Sequence, residues 1–122
     1  MTDVETAFLP RYFAALDDGE DILPLFARDF SFSLLWSSGG EAREFAGGFD
    51  AWAGYMGQRE PDGQRHHISH LLREGGTELA SGWTTRLGEP LGTFTFAVEL
   101  DGAGLVRRIF AARTEAFAGT PF

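Results

Sequence analysis

Between Phe8 and Trp36 the apolar residues change from helical to extended spacing with almost no loop, which narrows the folds open to this chain. Phe8, Tyr12 and Leu16, with Phe13 less regularly, recur at helical intervals and give a first helix one apolar face. Asp17-Asp18-Gly19 ends it, and Glu20-Asp21 opens a short second helix whose Ile22, Leu25 and Phe26 need cover. From Phe30 the period falls to two: Phe30, Phe32, Leu34 and Trp36 alternate with Ser31, Ser33 and Leu35. A helix pair feeding so aromatic a strand predicts helices closing a curved sheet, a cone that encloses a pocket.

The rest of the chain extends this plan. Gly39-Gly40 reads as a hairpin turn into a short strand, Glu41 to Phe45. Gly47-Gly48 then leads into a helix over Phe49 to Gln58 with Phe49, Trp52, Ala53 and Met56 on one face. Gly54 and Gly57 each cost that helix about 1 kcal/mol relative to alanine, so packing must hold it. After the turn Pro61-Asp62-Gly63, four strands are predicted over Gln64–Glu74, Thr77–Leu87, Leu91–Leu100 and Leu105–Phe117, joined at Gly75-Gly76, Gly88-Glu89-Pro90 and Asp101-Gly102. Ala118 to Phe122 read as a frayed end. The predicted architecture is an α+β cone, α–α–β–β–α–β–β–β–β, with a curved, mixed but mainly antiparallel sheet, as one domain over residues 1–122.

A chain of 122 residues buries roughly two-thirds of its unfolded surface without staples. Twelve Phe and three Trp are more than such a core needs, which favours an aromatic-lined cavity. Cysteine is absent, excluding disulfides, thiol nucleophiles and thiolate metal sites. No apolar run approaches the roughly 20 residues of a membrane helix. Asp3 and Glu5 stand where a signal peptide would carry basic residues, so a cytoplasmic location is expected. A net charge of −8 without a basic cluster argues against a nucleic-acid partner.

The order of elements, with RYFAALDDGEDILPLFARD near the start and DGAGLVRRIFAART near the end, resembles the nuclear transport factor 2-like superfamily, also called SnoaL-like, over nearly the whole chain. That superfamily holds isomerases, dehydratases, cyclases, epoxide hydrolases and non-enzymes, so the resemblance implies a fold more than an activity. By similarity to bacterial ketosteroid isomerases, the oxyanion-hole tyrosine falls on Tyr12. Their general-base aspartate falls on Leu34, however, and their protonated aspartic acid on Phe96. Leu34 cannot accept a proton, which disfavours steroid isomerisation of that type. By similarity to scytalone dehydratases, an aspartate falls on Asp17 and a histidine on His66. The tyrosine of that site falls on Leu16 and its second histidine near Thr84. The resemblance thus retains an Asp–His pair able to hold a water or move a proton.

The residues themselves leave paired readings. His66 shares a strand face with Ile68 and Leu72, so its imidazole points toward the core, as an acid–base group or as a histidine satisfied by backbone. His70 falls on the same face about 13 Å further on, at ~3.3 Å per residue. His67 faces the opposite side. The His-His-Ile-Ser-His run lies on a strand and lacks the glutamate of a helical zinc motif, so no metal is expected. Asp17 is either an orienting carboxylate or a solvated turn residue, and Tyr12 either a donor to a substrate oxygen or a core tyrosine. Arg113 faces a pocket if Ile109 and Ala111 point inward, and solvent if Phe110 and Ala112 do. Phe32, Leu34, Trp36, Trp52, Tyr55 and Phe96 would line the pocket, together with His70 and Arg113.

The expected protein is a homodimer that binds a small apolar or cyclic ligand, with neither nucleic-acid nor membrane partners. Its chemistry would be cofactor-independent isomerisation, dehydration or cyclisation of a polyketide- or terpenoid-like molecule. His66 would serve as acid and base, Asp17 would orient it, and Tyr12 would polarise a carbonyl. The alternative is a non-catalytic ligand-binding or dimerisation module. An enzyme predicts that Tyr12, Asp17 and His66 converge on one void; a module predicts a packed His66 with no cavity beside it.

Overall fold

The first apolar stripe becomes α1 (Phe8–Asp17), which buries Phe8, Leu9, Tyr12 and Phe13. The computed structural model describes residues 7–38, 40–58 and 62–115. The second predicted helix is a three-residue 3₁₀ turn, Leu23–Leu25. Asp21 starts that turn by accepting the Leu23 N–H at 3.1 Å. Phe26 pairs with Val106 in the sheet, which leaves no residues for further helical turns. The following elements are β1 (Phe26–Ser38), β2 (Glu41–Gly48), α2 (Phe49–Gly57), β3 (Gln64–Glu74), β4 (Thr77–Arg86), β5 (Glu89–Leu100) and β6 (Val106–Glu115). Predictions at Gly39, Pro61, Ala116, Phe117 and the frayed end 118–122 fall outside the described residues.

The six strands form one open sheet in the order β2-β1-β6-β5-β4-β3. β1 runs parallel to β6, and every other neighbouring pair is antiparallel. The parallel pair brings the early aromatic strand beside the last one and lets the helices cover a single face. That face carries a continuous aromatic core. Tyr12 packs on Phe8, Phe13, Phe26 and Phe96, and Trp52 of α2 on Phe26, Phe30 and Phe32. The result is the expected α+β cone with a mixed, mainly antiparallel sheet.

One buried charge organises the helix end of the core. Glu78 of β4 is wholly buried. Its carboxylate accepts the backbone N–H of Phe8 at 2.6 Å and of Leu9 at 2.9 Å. The N-cap residue Ala7 contributes no side-chain hydrogen bond, and the first turn of α1 holds no acidic residue. The sheet therefore supplies the acceptor that the helix sequence lacks.

A bulge in β3 corrects the reading of its second half. The register with β4 shifts between Ile68 and His70, leaving Ser69 as the extra residue. One added residue reverses the faces beyond it. Leu71 and not Leu72 packs against the core, while Leu72 is 68% exposed. His70 consequently points away from His66 into solvent and lines no interior space. Gly82, opposite the bulge, makes it possible: a Cβ there would sit 1.8 Å from the His67 carbonyl oxygen. The last strand takes the first of its two parities, with Ile109 and Ala111 buried and Phe110 64% exposed.

Candidate active site

Asp17 closes α1 and His66 is the third residue of β3, so the helix terminus meets the sheet at this pair. Asp17 grips His66 twice. Its Oδ2 accepts the His66 backbone N–H at 2.7 Å, and its Oδ1 lies 2.7 Å from Nδ1. Both side chains are almost wholly buried, His66 at 4% and Asp17 at 5% exposure. The imidazole stacks on Phe13 at 4.5 Å and 8° between planes, with Phe94 edge-on at 5.4 Å. Beside this contact, Asp18 and Arg65 form an exposed ion pair at 2.8 Å. The Asp18 hydrogen bond, reinforced by its charge, raises the affinity of the guanidinium for its proton.

A carboxylate offers only acceptors, so Nδ1 must carry the proton it shares with Asp17. In the neutral ring the lone pair then resides on Nε2. His66 also forms a wall of a small, partly open pocket of about 30 Å³, together with Tyr12, Trp52 and Arg113. Such a space holds a water or so, since about 10–15 Å³ suffices for one. The aromatic-lined pocket expected from the sequence is thus small, with Phe13, Phe94 and Phe96 among its walls.

The predicted residues divide by position. Tyr12, Leu34, Trp52, Tyr55, His66, Phe96 and Arg113 line this cavity. Asp17 instead lines a cleft of about 250 Å³ on the outer side, shared with Ile22, Asp62 and Gln64. Tyr12 and His66 therefore meet one void, while Asp17 reaches it only through the imidazole. Trp36 belongs to a separate hollow at the sheet edge, beside Glu41 and Arg43. Phe32 lies buried against Phe30, Phe45 and Trp52 and lines neither space.

Residues that sequence reasoning passed over complete the site. Leu16 and Met56 line both this small pocket and the larger cleft. A polar chain runs along the rim. Arg113 donates to Gln64 Oε1 at 3.3 Å, Gln64 Nε2 to Asp62 Oδ2 at 3.0 Å, and Arg86 to the same Asp62 oxygen at 3.0 Å. The Gln64 side-chain bond, with its backbone bond and the Arg86 charge, holds the Asp62 carboxyl below its ordinary value. Gln64 marks a strand start by sequence and gives no local sign of this role. Among the described residues, no three His, Cys, Asp or Glu side chains gather where a metal ion could be held.

No family model matches the sequence, and no curated protein does. Solved structures do. A candidate ketosteroid isomerase from Kribbella flavida superposes with a TM-score of 0.63 at 22% identity, covering 93% of this chain and 80% of that one. A candidate isomerase of the SnoaL-like family from Agrobacterium tumefaciens gives 0.60 at 15%, covering 86% and 93%. The yeast UBP3-associated protein BRE5 gives 0.66 at 13%, covering 91% and 94%.

Proposed function

We propose, for a chain with the nuclear transport factor 2-like, or SnoaL-like, fold, a cofactor-independent acid–base enzyme acting on a small, largely apolar cyclic carbonyl compound. The observation that carries this reading is the two-point grip of Asp17 on a buried imidazole that walls a small pocket. Nε2 of His66 takes a proton from the carbon beside the carbonyl, and the electron pair moves into an enolate whose oxygen gains the charge. Tyr12 or Arg113, on the same cavity, stabilises that oxygen. The imidazolium is stabilised by Asp17 and returns the proton to the same or a conjugated carbon, or to a departing hydroxyl. Isomerisation, dehydration and cyclisation share this first step.

The step is testable without the natural substrate. In D₂O, the wild-type protein is expected to accelerate deuteration of the α-methylene of 1-tetralone over buffer, followed by proton NMR. His66→Gln is expected to lower that rate by about 10²–10⁴-fold, the range of a positioned general base. Equal rates for the two proteins would remove His66 from the chemistry.

A second reading, a binding or dimerisation module, draws on the small cavity and on the outer sheet face. Leu72, Leu79, Ala97 and Phe110 stand opposite one another across four adjacent strands. They make an apolar row on the side the helices leave uncovered, with Leu72, Leu79 and Phe110 all well exposed. A self-complementary row of this kind suits a second copy of the chain across a two-fold axis. Dimerisation is compatible with either reading. Phe110→Asp is expected to turn a dimer into a monomer in sedimentation velocity with an unchanged circular dichroism spectrum. A monomeric wild-type protein would leave this face without that role. No helix among the described residues is long and apolar enough to cross a membrane.

A further inference from the structure

We infer that Gln64 is a positioning residue of the proposed reaction: bridging Asp62 and Arg113, its amide sets the guanidinium that receives the enolate oxygen. The inference rests on the acid–base reading and adds which of the two candidate donors takes that oxygen, and what aims it. Arg113 and His66 border the same small pocket. In the sheet Arg113 stands directly opposite Phe94, and the Phe94 ring meets the His66 imidazole edge-on at 5.4 Å. Base and guanidinium thus flank one aromatic ring on the helix-covered face. Against a developing negative charge the guanidinium brings a full positive charge with its hydrogen bond, where the Tyr12 phenol brings only a dipole.

An arginine side chain has several rotatable bonds, so its aim at a pocket depends on what holds it. Trp36 and Gln64 both hold Arg113. Its Cζ lies over the Trp36 ring, 5.7 Å from the centroid, and its Nη2 donates to Gln64 Oε1 at 3.3 Å. β3 and β6 are separated in the sheet by β4 and β5, so Gln64 makes this contact by reaching across the helix-covered face. The direction of the amide is set from its other end. Arg113 can only donate and the Asp62 carboxylate can only accept, so a bridge between them needs one acceptor and one donor. Gln64 Nε2 donates to Asp62 Oδ2 at 3.0 Å, and Arg86 holds the same oxygen at 3.0 Å. Asp62 also accepts the Gln64 backbone N–H at 3.2 Å. The amide is neutral, so its contact orients the guanidinium without adding a counter-charge, which a carboxylate in its place would do.

Deuterium exchange at the α-methylene of 1-tetralone, followed against ketone concentration, reads this role. Gln64→Ala is expected to lower the maximal rate about 10- to 100-fold, the cost of a misplaced group. The half-saturating concentration should change by less than about 2-fold, since the bond to the oxygen strengthens only as the enolate forms. Asp62→Ala alters an exposed side chain and frees the far end of the amide. It is expected to lower the maximal rate about 3- to 10-fold in the same way, the yield of one hydrogen bond. Arg113→Met is expected to lower it about 10²–10³-fold, as for loss of an oxyanion donor. In that background Gln64→Ala is expected to change nothing further, because the group it aims is gone.

A wild-type rate in any of the three single variants, a loss confined to half-saturation, or a Gln64→Ala loss that persists beside Arg113→Met overturns the inference. Each of these leaves the proposed function standing, because the effect of His66→Gln is read separately. If Arg113→Met does not fold, the split between maximal rate and half-saturation in Asp62→Ala decides the matter. A wild-type protein that does not accelerate exchange overturns the proposed function and this inference together.

Discussion

Asp17→Asn is expected to slow α-proton exchange by about 10²–10⁴-fold in a protein that remains folded, because it puts the imidazole proton on the wrong nitrogen. One oxygen of Asp17 must stay on the His66 backbone N–H, a donor whose direction the strand fixes. In the asparagine variant that oxygen is the amide carbonyl, and the amide NH₂ then faces Nδ1. Nδ1 must become the acceptor, so the proton moves to Nε2, and the ring meets the cavity as a donor instead of a base. Two measurements check this. The ¹⁵N shifts of the His66 ring nitrogens should exchange character between the wild-type and variant proteins, and the exchange rate should fall with them. An inverted tautomer with an undiminished rate would show that Nε2 is not the base.

Much of the fold is legible in the residues because burial on one face writes a period into them. The helix over Phe49 and the strand from Gln64 to Glu74 appear where the spacing places them, and the alternation from Phe30 holds, although its strand already begins at Phe26. What failed was non-local. The 3₁₀ turn at Leu23–Leu25 looks like a helix until β6 claims Phe26 as a partner. The bulge at Ser69 keeps the alternation of the letters while reversing the direction of His70 and Leu72. Nothing in β3 alone announces it, since the permission lies in Gly82 on the next strand.

The site follows the same division. The resemblance singled out Asp17 and His66, and the structure brings them into contact. Periodicity gave the inward face of His66 and of the aromatic residues around it. The rim from Arg113 through Gln64 to Asp62 joins β6 to the start of β3, and its polar residues are individually ordinary. Arg113 had two possible faces until the register of β6 against β1 and β5 settled it.

Glu78→Ala is expected to cost the fold about 3 kcal/mol, which lowers the thermal midpoint by roughly 10 °C for a domain of this size. The reason lies in how α1 is held. At its N-terminus the buried Glu78 carboxylate takes two helix N–H groups, and Arg73 Nε stands 3.7 Å from the same carboxylate. At its C-terminus the helix returns a carboxylate of its own, Asp17, to the sheet. Acid at a helix C-terminus opposes the dipole, and the two His66 donors are what offset that cost. Removing Glu78 leaves two buried N–H groups without an acceptor and loosens the end of α1 farther from the Asp17–His66 pair. Glu78→Gln keeps one acceptor and is expected to lose about half as much. Thermal unfolding followed by circular dichroism measures both, and a shift of less than about 2 °C for the alanine variant would show that the helix does not depend on this cap. Because α1 also carries Tyr12 and Phe13, the same variant should raise amide hydrogen exchange along α1 before it affects β5 and β6, the order expected if the helix is pinned to the sheet chiefly by these two carboxylates.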